Sequence, residues 1–246
     1  MLQDPSLMTD FQGELMFEQE IEGWTTGEHA ESIRNYSMDQ LKKDVREMLK
    51  TVDCQSGIWI FGYGSLMWNP DVRYSKTDTG MLHGYHRRLC LRSTVYRGAP
   101  EQPGVVMGLA PGGTCHGRIF FIPRKYFSPD LLLLWDREML AGTYLPKWVK
   151  IQNASERVDA LTFIADPTHE DYLPPGDLKE IAMMVSRARG QRGTNLDYLR
   201  NTVETLHQLE LRDSGLETIL DLATRKADLH RAERKPSGIS SDYSLL

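Results

Sequence analysis

Cysteine is scarce in this chain of 246 residues. Cys54, Cys90 and Cys115 are odd in number and show no C-x-x-C spacing. That argues against a disulfide scaffold and a structural zinc site, and reads as reduced, partly buried thiols. Long apolar runs are missing as well: the strongest, Leu131 to Trp135, falls far short of the roughly 20 residues that a membrane-spanning helix needs. The opening M-L-Q-D-P has neither a basic nor an apolar signal region. Positive charge is not in excess, since 29 Lys and Arg stand against 34 Asp and Glu for a net charge of -5. Such a chain has no bulk field for capturing nucleic acid. These absences predict a soluble, cytoplasmic protein with no nucleic-acid or membrane partner.

What is present suits a packed core, with 40% hydrophobic and 26% charged residues. Residues 1–31 hold eight acidic side chains and no Lys or Arg. We read residues 1–36 as an acidic N-terminal arm, solvated but with apolar side chains (Phe11, Phe17, Trp24) that could dock. A main domain is expected over 37–230, and a frayed C-terminal tail over 231–246. Ser37 is a candidate N-cap, and Leu41, Val45, Met48, Leu49 and Val52 recur at helical spacing, predicting a helix over 38–52.

Residues 57–166 read as β-rich. Strands are expected at 58–61, 81–94, 105–110, 115–122, 148–152 and 158–165, with P-G-G at 111–113 as the turn joining the third and fourth. One helix interrupts them, starting with Ser128 as N-cap and Pro129 at its first position, running through Leu140 and ending near Gly142. Beyond Pro174-Pro175-Gly176 the pattern turns helical. Asp177 caps a segment reaching Ala188, Thr194 or Asn195 opens another to about Leu211, and Gly215 precedes a third to about His230.

Two segments carry candidate chemistry. In I58-W-I-F-G-Y-G-S-L-M-W-N-P70 a buried strand breaks into Gly62-Tyr63-Gly64-Ser65. Glycines flanking a tyrosine allow a sharp turn, close approach to a ligand and a nest of N–H groups for an oxygen. The segment lacks the G-K-[ST] of a phosphate loop and the last glycine of G-x-G-x-x-G, and G-Y-G-S-L is not the G-x-S-x-G of a serine nucleophile. Taken alone, the motif is more often a strand ending in a plain tight turn.

In L131-L-L-L-W-D-R-E138 the residues Leu131, Leu134, Trp135 and Glu138 fall on one helix face, with Asp136 and Arg137 directed elsewhere. A carboxylate at the end of an apolar stripe is costly unless paired or set in a cavity. It suits a general base that later acts as an acid, or an ion pair to a core-lining arginine. His83 and His86 would point to opposite faces of a strand and complete no metal site. Arg87, Arg88, Arg92 and Arg97 read as a solvated strand face from which one arginine could attract an anion.

F-G-Y-G-S-L-M-W-N-P together with L-W-D-R-E-M-L-A-G-T-Y resembles the γ-glutamylcyclotransferases, most of all the ChaC branch that acts on glutathione. G84-Y-H-R-R-L-C-L-R-S93, R97-G-A-P-E-Q-P-G104, C115-H-G-R-I-F-F-I and G193-T-N-L-D-Y-L-R-N-T202 follow in family order, so the resemblance spans about residues 57–222. G-T-Y at 142–144 departs from the G-G-Y of many relatives. The resemblance implies an α+β fold: a small mixed β-barrel flanked by helices. It implies that Ile60, Phe61, Gly62, Tyr63, Gly64 and Ser65 hold the γ-glutamyl moiety of a small-molecule substrate, that Tyr63 and Tyr144 supply cavity hydroxyls, and that Glu138 accepts the proton. The implied reaction converts glutathione to 5-oxoproline and cysteinylglycine in a monomer, with no cofactor or metal. Cyclisation of other γ-glutamyl peptides or amines, or a non-catalytic ligand-binding regulatory role, are the alternatives.

Overall fold

The computed structural model describes residues 37–233. The acidic arm and most of the expected tail lie outside the described residues. The described chain falls into two compact units, one of residues up to Leu91 together with Met107–Tyr172, the other of Arg92–Val106 with residues from Leu173 on.

The first unit is built on a closed barrel of β1 (Gly57–Gly62), β2 (Lys76–Ser93), β3 (Gly104–Pro123), β4 (Tyr144–Gln152) and β5 (Arg157–Ala165), in the order β1-β3-β2-β4-β5. β1 is antiparallel to β3, with Ile60 opposite Phe120, and parallel to β5, with Ile60 opposite Leu161. β4 and β5 pair antiparallel along their whole lengths, so the sheet is mixed, as the resemblance implied. Side chains alternate across a strand. Ile58 and Ile60 therefore share one face, and they meet Leu161 and Phe163 of β5 and an outer layer of two helices, α1 (Met38–Leu49) and α2 (Phe127–Met139). Leu41, Val45, Leu131, Leu134 and Trp135 supply that layer. Each such side chain adds about 1.5–3 kcal/mol when fully buried.

Local chemistry explains the helix ends. Ser37 Oγ accepts from the Gln40 N–H at 3.2 Å, as an N-cap should. α1 stops at Leu49, short of residue 52. The Thr51 hydroxyl and the Trp148 indole N–H both donate to the Met48 carbonyl, at 2.8 and 3.1 Å. α2 starts earlier than expected: a 3-10 turn at Arg124–Tyr126 leads into it, and Tyr126 rather than Ser128 is the N-cap. Pro129 is then the third helical residue, still within the first turn, where a missing N–H breaks no helical bond.

The expected P-G-G turn between two strands is not there. β3 is one strand of 20 residues that runs through Gly112 and Gly113. Both glycines have positive φ, +94° and +73°, so they bend the strand without ending it. The bend lies at His86 of β2, whose Nδ1 sits 2.9 Å from the Gly112 carbonyl oxygen.

The second unit holds α3 (Leu178–Arg187), the short pair β6 (Arg189–Gly190) and β7 (Gly193–Thr194), α4 (Asn195–Gln208) and α5 (Ser214–Glu233). Asp177 and Thr194 cap α3 and α4 through the Lys179 and Asp197 N–H groups. Gly215 lies inside α5 rather than before it, because Asp213 does the capping: its Oδ1 accepts from the Leu216 N–H at 3.1 Å. Asn195, fully buried, exchanges two hydrogen bonds with the Val105 backbone at 2.7 and 2.8 Å. Arg97 donates to the Arg192 carbonyl at 2.6 Å and lies over the Tyr198 ring. The loop at 97–104 is thus tied down from within its own unit. No described helix is long and apolar enough to cross a membrane.

Candidate active site

β1 leaves its ladder at Gly62, the last residue paired to β3, opposite Arg118. The Ile60 side chain belongs to the apolar layer under α2. Phe61 is fully buried, and its carbonyl accepts from Thr162 Oγ1 at 3.0 Å. The Ile60 and Phe61 side chains therefore pack inward, so what Ile60–Gly62 can offer a ligand is backbone, and Tyr63, Gly64 and Ser65 form the turn itself. After Gly64 the chain makes a 3-10 turn over Ser65–Met67. The Gly64 carbonyl accepts from Met67 N–H at 3.0 Å, and the Ser65 carbonyl from Asn69 N–H at 2.8 Å. The leading amides of such a turn have no acceptor within it, which makes them donors for a ligand oxygen. Only glycine fits beneath: a Cβ on Gly117 would lie 2.4 Å from the Gly62 carbonyl oxygen, and one on Gly62 would lie 2.9 Å from Leu66 Cβ.

Two arginines hold this turn from the strands. Arg87 Nε donates to the Tyr63 carbonyl at 2.5 Å, and its guanidinium also binds the His116 carbonyl. Arg118 donates to the Met67 carbonyl at 3.2 Å and to Thr77 Oγ1 at 3.0 Å. The expected solvated arginine face does not exist as such: Arg87 grips the turn, Arg88 lies 5.1 Å over the Tyr172 ring, and Arg97 serves the second unit. The tyrosine hydroxyls are also committed. Tyr63 donates to the Phe163 carbonyl and Tyr144 to the Met107 carbonyl, each at 2.6 Å. What either phenol offers a ligand is an oxygen lone pair or a ring face.

Glu138 sits where the helical periodicity placed it. Leu131, Leu134 and Trp135 are buried on α2, and the Glu138 side chain, on the same stripe, is only 13% exposed. Arg137, by contrast, is not directed away. Its side chain is 11% exposed, and Nε lies 3.2 Å from Glu138 Oε1. Nη2 donates to Ser65 Oγ at 2.8 Å, and Nη1 to the Asn69 carbonyl at 2.7 Å and Asp71 Oδ2 at 2.9 Å. One guanidinium therefore joins the carboxylate to the turn. The segment after the turn is held at a second point, where Arg73 clasps the buried Asp130 through its backbone N–H and its guanidinium, at 2.5–3.3 Å. Sequence reasoning missed Arg137, Arg118 and Gly117. The signal for Arg137 was its place beside Glu138, but a helical wheel sets neighbours about 100° apart and ignores how far a long side chain curls back.

Residues 58–226 match the family described as ChaC-like protein. The glutathione-specific γ-glutamylcyclotransferase of Escherichia coli K12 is 37% identical over 205 residues, covering 83% of this chain and 87% of that protein. Human glutathione-specific γ-glutamylcyclotransferase 1 is 34% identical, over 67% of this chain and 77% of its own length. The crystal structure of the yeast γ-glutamyl cyclotransferase specific to glutathione superposes with a TM-score of 0.64 at 21% identity, covering 69% of this chain and 96% of that one, which speaks for the fold. On the span and identity of these matches, together with the barrel that carries them, the chain belongs to the ChaC-like family.

Proposed function

We propose that this protein is a glutathione-specific γ-glutamylcyclotransferase in which Glu138 is the proton carrier and the Ile60–Ser65 segment, with its turn at Tyr63–Ser65, holds the γ-glutamyl group. The observation that carries this reading is the single Arg137 guanidinium joining Glu138 Oε1 to Ser65 Oγ. It sets a mostly buried carboxylate next to a turn whose leading amides suit an oxygen ligand.

The chemistry follows from these parts. The α-amine of the γ-glutamyl group attacks its own side-chain amide carbonyl. A C–N bond forms to close a five-membered lactam, and the original amide C–N bond breaks. An α-amine ordinarily titrates at roughly 7.7–8.0, so it is largely protonated at neutral pH and must lose a proton to attack. Glu138 takes that proton and returns it to the departing nitrogen of cysteinylglycine; the attacking nitrogen loses its second proton to solvent as the neutral lactam forms, and the released amine takes one up from solvent. Turn amides stabilise the oxygen of the tetrahedral intermediate. Glutathione divides into 5-oxoproline and cysteinylglycine with no water, oxidant or second substrate consumed. Three free thiols among the described residues favour a reducing compartment, and we place the enzyme in the cytoplasm as a monomer, the latter testable by light scattering.

Incubation of the purified protein with glutathione, without added metal or nucleotide, tests the assignment. Mass analysis should find 5-oxoproline and cysteinylglycine in equal amounts. Free glutamate would mean hydrolysis, and the cyclisation described above would be wrong.

A further inference from the structure

We propose that Arg137 is a positioning residue for the cyclisation, setting both the orientation of the Glu138 carboxylate and the donor direction of Ser65. The proposal rests on the reading of Glu138 as the base. Four acceptors from three parts of the unit converge on one planar fork: Glu138 Oε1 on α2, Ser65 Oγ in the turn, and the Asn69 carbonyl and Asp71 Oδ2 just after it. The guanidinium is nearly buried, so these contacts restrain it, and it restrains them in return.

Each contact has a chemical consequence. Nε pins Oε1 and so fixes the rotation of the carboxylate about its last bond. Nη2 fills a lone pair of the serine oxygen. A hydroxyl that accepts there directs its own hydrogen away from the guanidinium, where it can donate to a substrate oxygen. The contacts to Asn69 and Asp71 hold the far end of the turn at the same depth. Base and donor are thereby set at one spacing, which an intramolecular attack demands, because misplacement by about 1 Å can cost on the order of a hundredfold. A lysine at this position would keep the charge but, as a flexible point charge, could not serve four acceptors in a plane.

The test compares Arg137→Lys, Arg137→Ala, Ser65→Ala and the double variant Ser65→Ala/Arg137→Lys, with glutathione as substrate and kcat referred to folded protein. Arg137→Lys should lower kcat by about ten- to a hundredfold, with a smaller rise in KM. Ser65→Ala alone should cost several-fold, yet almost nothing further when added to Arg137→Lys, because the serine acts through the arginine. Added guanidinium ion should restore part of the kcat of Arg137→Ala and leave the parent unchanged, which a purely structural role does not predict. A variant that melts lower but turns over at the parental rate once folded overturns the proposal, as do strictly multiplicative effects in the double variant. Loss of activity in Glu138→Gln with full activity in Arg137→Lys defeats this inference alone. Absence of 5-oxoproline from the parent enzyme defeats the functional reading beneath it.

Discussion

The Tyr63 phenol donates to the Phe163 carbonyl at 2.6 Å across 100 positions of sequence, and it does so from a buried ring. The tyrosine of the G-Y-G-S motif thus bolts the turn to β5. Tyr63→Phe removes a donor and leaves a buried carbonyl short of a partner, a loss of about 1–3 kcal/mol. Chemical denaturation should show that loss, while kcat of the folded variant falls far less than in Glu138→Gln. A drop in kcat matching Glu138→Gln, at unchanged stability, would make Tyr63 a reacting group instead of a bolt.

Glu138→Gln keeps the size and an acceptor oxygen for Arg137 but cannot carry the proton. A general acid–base group is typically worth about 10²- to 10⁴-fold, so kcat should fall by at least the lower bound while affinity for a non-reacting glutathione analogue largely persists. Asp71 remains beside Arg137 as a counter-charge, so the melting temperature should move by no more than a few degrees. Turnover within about threefold of the parent would remove Glu138 from the mechanism.

Arg73 and Arg137 hold the same segment to the same helix, Arg73 through Asp130 and Arg137 beside Glu138. Asp130 is 4% exposed, and Arg73→Gln strips its guanidinium partner. Breaking a fully buried pair costs about 3–5 kcal/mol. The Arg73 side chain is 55% exposed, so about 1–3 kcal/mol is the better expectation after solvent screening. Thermal melts should show this loss with kcat of the folded protein close to the parent value.

Gly117→Ala places a Cβ 2.4 Å from the Gly62 carbonyl oxygen and 2.7 Å from the Phe61 ring. Neither can yield without moving the base of the turn. Both a lower melting temperature and a raised KM for glutathione are expected, and an alanine variant indistinguishable from the parent in both would contradict the close packing described.

The three thiols should differ in reactivity. Cys90 is fully buried, and that burial pushes its thiol pKa up, which suppresses the thiolate needed for alkylation. Cys115 is buried too, whereas Cys54 is partly exposed, with Arg124 Nη1 3.6 Å from its sulfur. Brief treatment of the native protein with iodoacetamide should label Cys54 alone by peptide mass mapping, and all three after unfolding.

What could be read from the chain was local. The Ser37, Asp177 and Thr194 caps bond to amides two or three residues ahead, and the stripe of Leu131, Leu134, Trp135 and Glu138 recurs every helical turn. Side-chain caps and periodic burial act within about one turn of backbone, so residue order alone expresses them. The G-Y-G-S break was equally legible, because glycine spacing constrains the backbone wherever the segment sits. Tertiary structure decided the rest. Glycines at positive φ bend a strand or end it depending on whether a partner strand continues alongside, and only β2 settles that for Gly112 and Gly113. Arg137 has rotamers enough to reach solvent or the turn. Its direction follows from Ser65, Asn69 and Asp71, which are at least 66 positions away in sequence, and a buried guanidinium turns to wherever the fold has gathered its acceptors.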